Sequence, residues 1–233
     1  MPVAVRPKKV LQVLILIAGI GYCWNALPHS MVWADLKAKF HDPTANLDIR
    51  PGDIIFQDIH GKLFRVIEDV SGSRLTHCGI VVRHDGELYV LEAIGPVMLT
   101  PLKEWVHRGI GSRFTVVRLK APYRSYVPAI VRAGYAYLSK PYDFQYEMTD
   151  DKIYCSELVY KAVETAAGIT LGPLRRLGDL KWQGHEAFIR AMTGGELPLD
   201  RKIITPGDLA ASDKVDVVFS NFKRPAPEKK LVR

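Results

Sequence analysis

The chain has 233 residues, 48% hydrophobic and 24% charged, enough for one medium domain with a sizeable core. That ordinary balance excludes collagen-like, disulfide-dense and wholly disordered classes. The net charge of +7 sits at the ends: Arg6, Lys8 and Lys9 at the start, and Lys223, Arg224, Lys229, Lys230 and Arg233 against Glu228 at the finish. The neutral stretch between them lacks the concentrated cationic face that phosphate neutralisation requires, so no nucleic-acid partner is expected.

In chain order, the three early cations precede an apolar run over residues 10–24. That order belongs to a secretory signal or a short signal anchor. No A-x-A cleavage site follows, and Tyr22 is too bulky before Cys23 for lipoprotein cleavage, which favours an uncleaved anchor within residues 1–30. With its cations held inside, the rest of the chain faces outward from an inner membrane, or is exported to a periplasm if the segment is removed. Residues 31–47 read as a connector with an amphipathic turn (Val32, Leu36, Phe40), and 223–233 as a basic disordered tail.

Between these lies a domain over 48–222. Pro51-Gly52 is a turn that launches a buried strand at 53–57, and 64–70 form a short helix. Strands at 77–83 and 87–94 are joined by His84-Asp85-Gly86, a hairpin signal. Thr100-Pro101 caps a helix at 102–107, 114–120 form a strand, and 126–138 a helix ended by Lys140-Pro141. The clearest helix is 155–167. There Cys155, Leu158, Val159, Ala162, Val163 and Ala166 share one apolar face, and Gly168 supplies the stop. A helix at 184–192 and a strand at 216–222 complete a mixed order, read as α+β with an antiparallel sheet.

The three cysteines, Cys23, Cys78 and Cys155, make no disulfide framework; two thiols in an exported domain imply one bridge or one reactive thiol. Cys155 opens the best helix, where free amides and the dipole favour a thiolate. Around the Asp85-Gly86 turn, His77 comes opposite Ala93 or Glu92, and same-face neighbours lie ~5–8 Å apart. Cys155, His77 and Glu92 thus have the types and order of nucleophile, base and orienting group.

Four segments resemble the NlpC-type papain-like cysteine hydrolases: Pro51-Gly52-Asp53-Ile54-Ile55-Phe56, His77-Cys78-Gly79-Ile80-Val81-Val82, Lys140-Pro141-Tyr142 and Tyr154-Cys155-Ser156-Glu157-Leu158-Val159. Here the histidine block precedes the cysteine block, the reverse of the usual order, so the chain resembles the circularly permuted branch and its YiiX-like group. The stretches 91–97 and Tyr142-Asp143-Phe144 strengthen that match. The resemblance implies a permuted papain-like fold in which Cys155 is the nucleophile, His77 the general base and acid, and Glu92 the group orienting His77. It implies that Tyr142 lies beside the site and helps hold an oxyanion, with the Cys155 amide as first donor. Relatives often carry His, Asn or Gln at the third position, so the carboxylate is a departure. The expected substrates are peptidoglycan peptides or acylated lipids; the rival classes are a non-catalytic lipid- or peptide-binding module and a redox thiol protein.

Simpler readings stand beside these. Cys155 alone reads as a buried structural thiol, and His77 as a satisfied core histidine. Glu92, if buried, needs a partner, with Arg83 or Arg118 as candidates. Tyr142 is equally a packing residue. Alternation along the strand puts Cys78 on the face opposite His77; with His77 facing the helix, Cys78 belongs to the core away from Cys155. His60, His84, His107 and His185 lack ligand spacing, so no metal or other cofactor is expected. Asp53 is expected to bond turn amides. Tyr126, Tyr135 and Tyr137 are expected to pack a helix.

Overall fold

The computed structural model describes residues 42–222. The predicted anchor, the amphipathic turn of the connector and the basic tail lie outside the described residues. Among the described residues no helix is long and apolar enough to cross a membrane.

Six strands form one antiparallel sheet: β1 (Ile54–Ile59), β2 (His77–His84), β3 (Glu87–Ala93), β4 (Val97–Pro101), β5 (Gly109–Leu119) and β8 (Val215–Ser220), in the order β4-β3-β2-β1-β5-β8. The helices are α1 (Lys62–Ser71), α2 (Leu102–Arg108), α3 (Val127–Tyr135), α4 (Cys155–Ala167), α5 (Glu186–Met192) and α6 (Pro206–Ala210). A short ribbon pairs β6 (Arg175–Arg176) with β7 (Lys202–Ile203). The expected mixture of helices with an antiparallel sheet is present.

Strand alternation divides the core. Ile54, Phe56, Cys78, Ile80, Val82 and Leu91 pack with the apolar stripe of α4 and with Ile130 of α3. Ile55, Val81, Val90, Phe114 and Val116 form the other face, covered by Leu102, Trp105 and Val106 of α2. A third cluster joins Val66 and Val70 of α1 to Ile189 of α5. Burial on both faces explains why the central strands read as nearly continuous apolar runs rather than alternating ones.

The hairpin turn is Asp85-Gly86, with φ of 47° and 84°, the left-handed pair a two-residue hairpin needs. It sets His84 opposite Glu87 and Ile80 opposite Leu91. Continued in the same register, Glu92 comes opposite Gly79 and lies diagonal to His77 on one face. Gly79 keeps this corner open: a Cβ there would lie 2.4 Å from a Val90 methyl and 2.7 Å from the Leu91 carbonyl oxygen. Gly79→Ala is therefore expected to cost about 1–3 kcal/mol in a urea melt, through overpacking against backbone. Unchanged stability would contradict so close an approach of β2 and β3.

Several expected elements differ. β4 was not anticipated, and it absorbs Thr100-Pro101: Pro101 occupies the cap position of α2, while the Thr100 hydroxyl turns inward instead of capping. A 3₁₀ turn (Ala121–Tyr126) precedes α3, and another (Gln183–His185) precedes α5. The α4 helix has the predicted bounds, and its C-terminal Gly168 is left-handed at φ 64°.

Candidate active site

Cys155 is the first residue of α4. The Tyr154 carbonyl accepts the first helical bond from the Leu158 amide, and the Glu157 carboxylate reaches back to accept from the Tyr154 amide at 3.2 Å. The free amides of this first turn and the helix dipole favour negative charge on the sulfur. Just upstream, Ile153 bridges Tyr142: the Ile153 amide donates to Pro141 at 2.9 Å, and the Asp143 amide to Ile153 at 3.2 Å. The Pro-Tyr segment is thereby tied to the start of the cysteine helix.

His77 and Glu92 are both fully buried. Nε2 of His77 lies 2.5 Å from Oε2 of Glu92. The imidazole is stacked near Trp105 (centroids 6.0 Å, 30°) and meets the edge of Phe64 at 6.0 Å. Three further donors hold the carboxylate: Trp105 Nε1 at 2.8 Å and Arg108 Nη2 at 2.5 Å on Oε2, and the Thr100 hydroxyl at 2.5 Å on Oε1. Arg108 takes the place of the Arg83 or Arg118 considered from sequence. Arg118 instead clamps Asp53 at 2.7 and 2.8 Å, and Asp53 also accepts the Arg50 amide as a turn residue would.

With Nε2 committed to Glu92, Nδ1 is the remaining nitrogen, buried and without a hydrogen-bond partner among the described residues. The imidazole as a whole also interacts electrostatically with Cys155. Burial works against charge on His77, yet Cys155 and then Glu92 overcome it and raise the imidazole to about 9. Burial likewise works against the Glu92 carboxylate, but His77 and Arg108 bring it down to about 2. Cys155 is held well below the ordinary 9.0, by the Cys78 side chain first and by His77 after the opposing effect of burial. These directions agree on a thiolate at 155, an imidazolium at 77 and a carboxylate at 92.

Cys78 corrects an expectation. It does lie on the face opposite His77, but its own face is the one α4 covers, in the same cluster as Cys155. His77 sits at the beginning of β2 with its ring on the α2 side beside Trp105, and from there it interacts electrostatically with Cys155. Burial raises the Cys78 thiol well above its ordinary value, and the neighbouring Cys155 charge adds to that. Cys78 is thereby favoured as the protonated thiol beside Cys155, and its side chain favours the charge on Cys155. Both cysteines are free.

Tyr142 is 7% exposed and packs among Tyr146, Phe144 and the core. Its hydroxyl is 3.5 Å from that of Tyr146, a residue that sequence reading passed over. A cavity of about 780 Å³, its mouth included, opens on Cys155. Its exposed wall is almost wholly apolar, chiefly Leu63, Val66 and Val70 of α1, Phe188 and Ile189 of α5, and Tyr146, with Gln145, Thr193 and Arg201 also bordering it. Tyr142 is not part of that wall.

Comparison with known proteins identifies the family. Residues 48–219 match the family model described as permuted papain-like amidase enzyme, YaeF/YiiX, C92 family. The uncharacterized protein YiiX of Escherichia coli K12 is 32% identical over 158 residues, covering 66% of this chain and 78% of that one. A crystal structure described as metalloprotein YiiX from Escherichia coli O157:H7 superposes with a TM-score of 0.71 at 29% identity, covering 75% of this chain and 98% of the other. Among the described residues, no group of three or more His, Cys, Asp and Glu side chains is gathered to hold a metal. The order of histidine strand before cysteine helix, the sheet they share and the match across 48–219 place this chain in the permuted papain-like amidase family of YaeF and YiiX.

Proposed function

We propose that the protein is a thiol hydrolase that cleaves an amide or ester bond to a long acyl chain. Cys155 is the nucleophile, His77 the base and acid, and Glu92 the group that fixes the imidazole. The observation that carries the substrate class is the apolar cavity that has Cys155 in its lining. A stem peptide brings carboxylates and amines that such a wall leaves unpaired, whereas an alkyl chain loses nothing polar on entering.

The Cys155 thiolate attacks the acyl carbon and forms a C–S bond while the carbonyl pair moves onto oxygen. The Cys155 backbone amide, unused within the helix, faces that charge. Collapse re-forms the carbonyl and expels the amine or alcohol, which takes the proton from Nδ1 of His77. Water, losing a proton to the same nitrogen, then hydrolyses the thioester. Glu92 keeps Nε2 as the donor to itself, so Nδ1 remains the atom that exchanges protons with the reaction. The apolar run over residues 10–24 would keep such a domain beside its lipid substrates, on the outer side of the inner membrane.

A series of N-acyl amino acids of rising chain length tests this reading. The ratio kcat/KM is expected to climb about fourfold per methylene, the equivalent of ~0.8 kcal/mol, until the cavity is filled. Flat dependence on chain length, with turnover of muropeptides, would overturn the acyl assignment.

A further inference from the structure

The segment between Tyr142 and α4 contains two left-handed non-glycine residues, Tyr146 and Met148. Tyr146 has φ of 57°, a left-handed backbone that bulky side chains rarely adopt. Such a conformation persists only where the surroundings impose it, and it clusters at working sites. Here the clamps are explicit. The buried Asp143 carboxylate accepts the Gln145 amide at 3.0 Å and the Glu147 amide at 2.5 Å, bracketing Tyr146 on both sides. Arg201 donates to the Gln145 carbonyl at 2.5 Å, and Lys152 holds the Gln145 side chain and, at 2.7 Å, the Glu147 carboxylate.

These clamps hold the Tyr146 ring against Tyr154, with centroids 4.6 Å apart, in the wall of the cavity that opens on Cys155. Tyr142 stands behind it, buried, its hydroxyl directed at that of Tyr146. Of the two phenols, Tyr146 is the one that lines the cavity. Burial pushes its hydroxyl well above the ordinary phenol value, and the Cys155 charge adds to this, so it remains a donor.

Resting on the hydrolase reading above, we propose that the Tyr146 hydroxyl is the side-chain donor to the oxyanion formed when Cys155 attacks, and that Tyr142 positions it. Tyr142 donates its proton toward the Tyr146 oxygen, which leaves the Tyr146 O–H directed to the substrate oxygen. The proton stays on Tyr146 throughout: the bond to the oxyanion strengthens as the C–S bond forms and weakens as the carbonyl returns. This moves the role that the family resemblance attached to Tyr142 four residues along the chain.

The test separates chemistry that builds an oxyanion from chemistry that does not. Iodoacetamide alkylates a thiolate by displacement at saturated carbon, whereas a nitrophenyl ester must pass through a tetrahedral oxyanion. In full-length protein, Tyr146→Phe is expected to keep alkylation of Cys155 within about twofold of wild type while acylation falls about 10²–10³-fold, in kcat rather than KM. Tyr142→Phe is expected to show a smaller acylation loss, also with alkylation retained. Acylation at the wild-type rate in Tyr146→Phe, a larger loss in Tyr142→Phe, or equal loss of both reactions in Tyr146→Phe would overturn the proposal. A wild type that alkylates but accepts no acyl group would instead overturn the hydrolase reading, and this inference with it.

Discussion

Replacing Glu92 with leucine is expected to cost about 3–5 kcal/mol of folding stability, the range for removing one partner from a buried charge pair. The carboxylate receives His77, Trp105, Arg108 and Thr100, and the buried three, His77, Trp105 and Thr100, would be left facing hydrocarbon. Glu92→Gln should be milder, because one amide oxygen can replace Oε2 and the amide nitrogen can donate to the Thr100 oxygen. Chemical denaturation of the two variants beside wild type checks the order; equal stability of Glu92→Leu and wild type would refute the network.

The same network fixes a pH window. The Glu92 carboxyl is depressed to about 2, so its stabilisation is complete above its unfolded value of 4.5 and is lost as pH falls through about 2. His77 is raised to about 9, so its contribution is complete below 6.5 and is lost as pH rises through about 9. Both are fully present between about pH 4.5 and 6.5, and Glu92→Gln should flatten the acid side of the stability profile.

Cys155→Ala and His77→Ala are each expected to lower acyl turnover by about 10⁴–10⁶-fold, and the double variant to be no worse than either, because the two act as one unit. With Cys155 lowered well below 9.0 and His77 raised to about 9, wild-type kcat/KM should follow a bell whose alkaline limb falls near pH 9. These limbs belong to the pair rather than to either residue. In His77→Ala, alkylation of Cys155 should need a higher pH, because the sulfur has lost a positive partner and burial opposes its charge. Additive single-variant losses, or an unmoved alkylation profile, would show that the two side chains do not cooperate.

How much of this was legible depended on whether a signal was local. The 155–167 helix was readable to the residue because its apolar period and Gly168 lie within one stretch. The hairpin was readable from Asp85-Gly86, and with it the nearness of His77 to Glu92. The fold family followed from four short motifs whose permuted order is itself information. The supports of the site were not readable. Thr100 looks like a helix cap, and only the fold shows its hydroxyl spent on Glu92. Arg108 reaches Glu92 across sixteen residues and an intervening strand. Cys78 shows the limit of periodicity, which states that neighbours face apart but not which face a helix will cover. Tyr146 carries no motif, and its left-handed backbone is set by Asp143, Arg201 and Lys152 acting from three separate places.

The central claim is that the sulfur at the head of α4 accepts an acyl group. Intact-mass measurement of the protein, acid-quenched during turnover of a long-chain acyl ester, tests it most directly. The account predicts a population heavier by the acyl group less one hydrogen, mapped to the Cys155 peptide, released by hydroxylamine and absent from Cys155→Ala. Steady hydrolysis with no adduct on that peptide, or with undiminished turnover in Cys155→Ala, would contradict it.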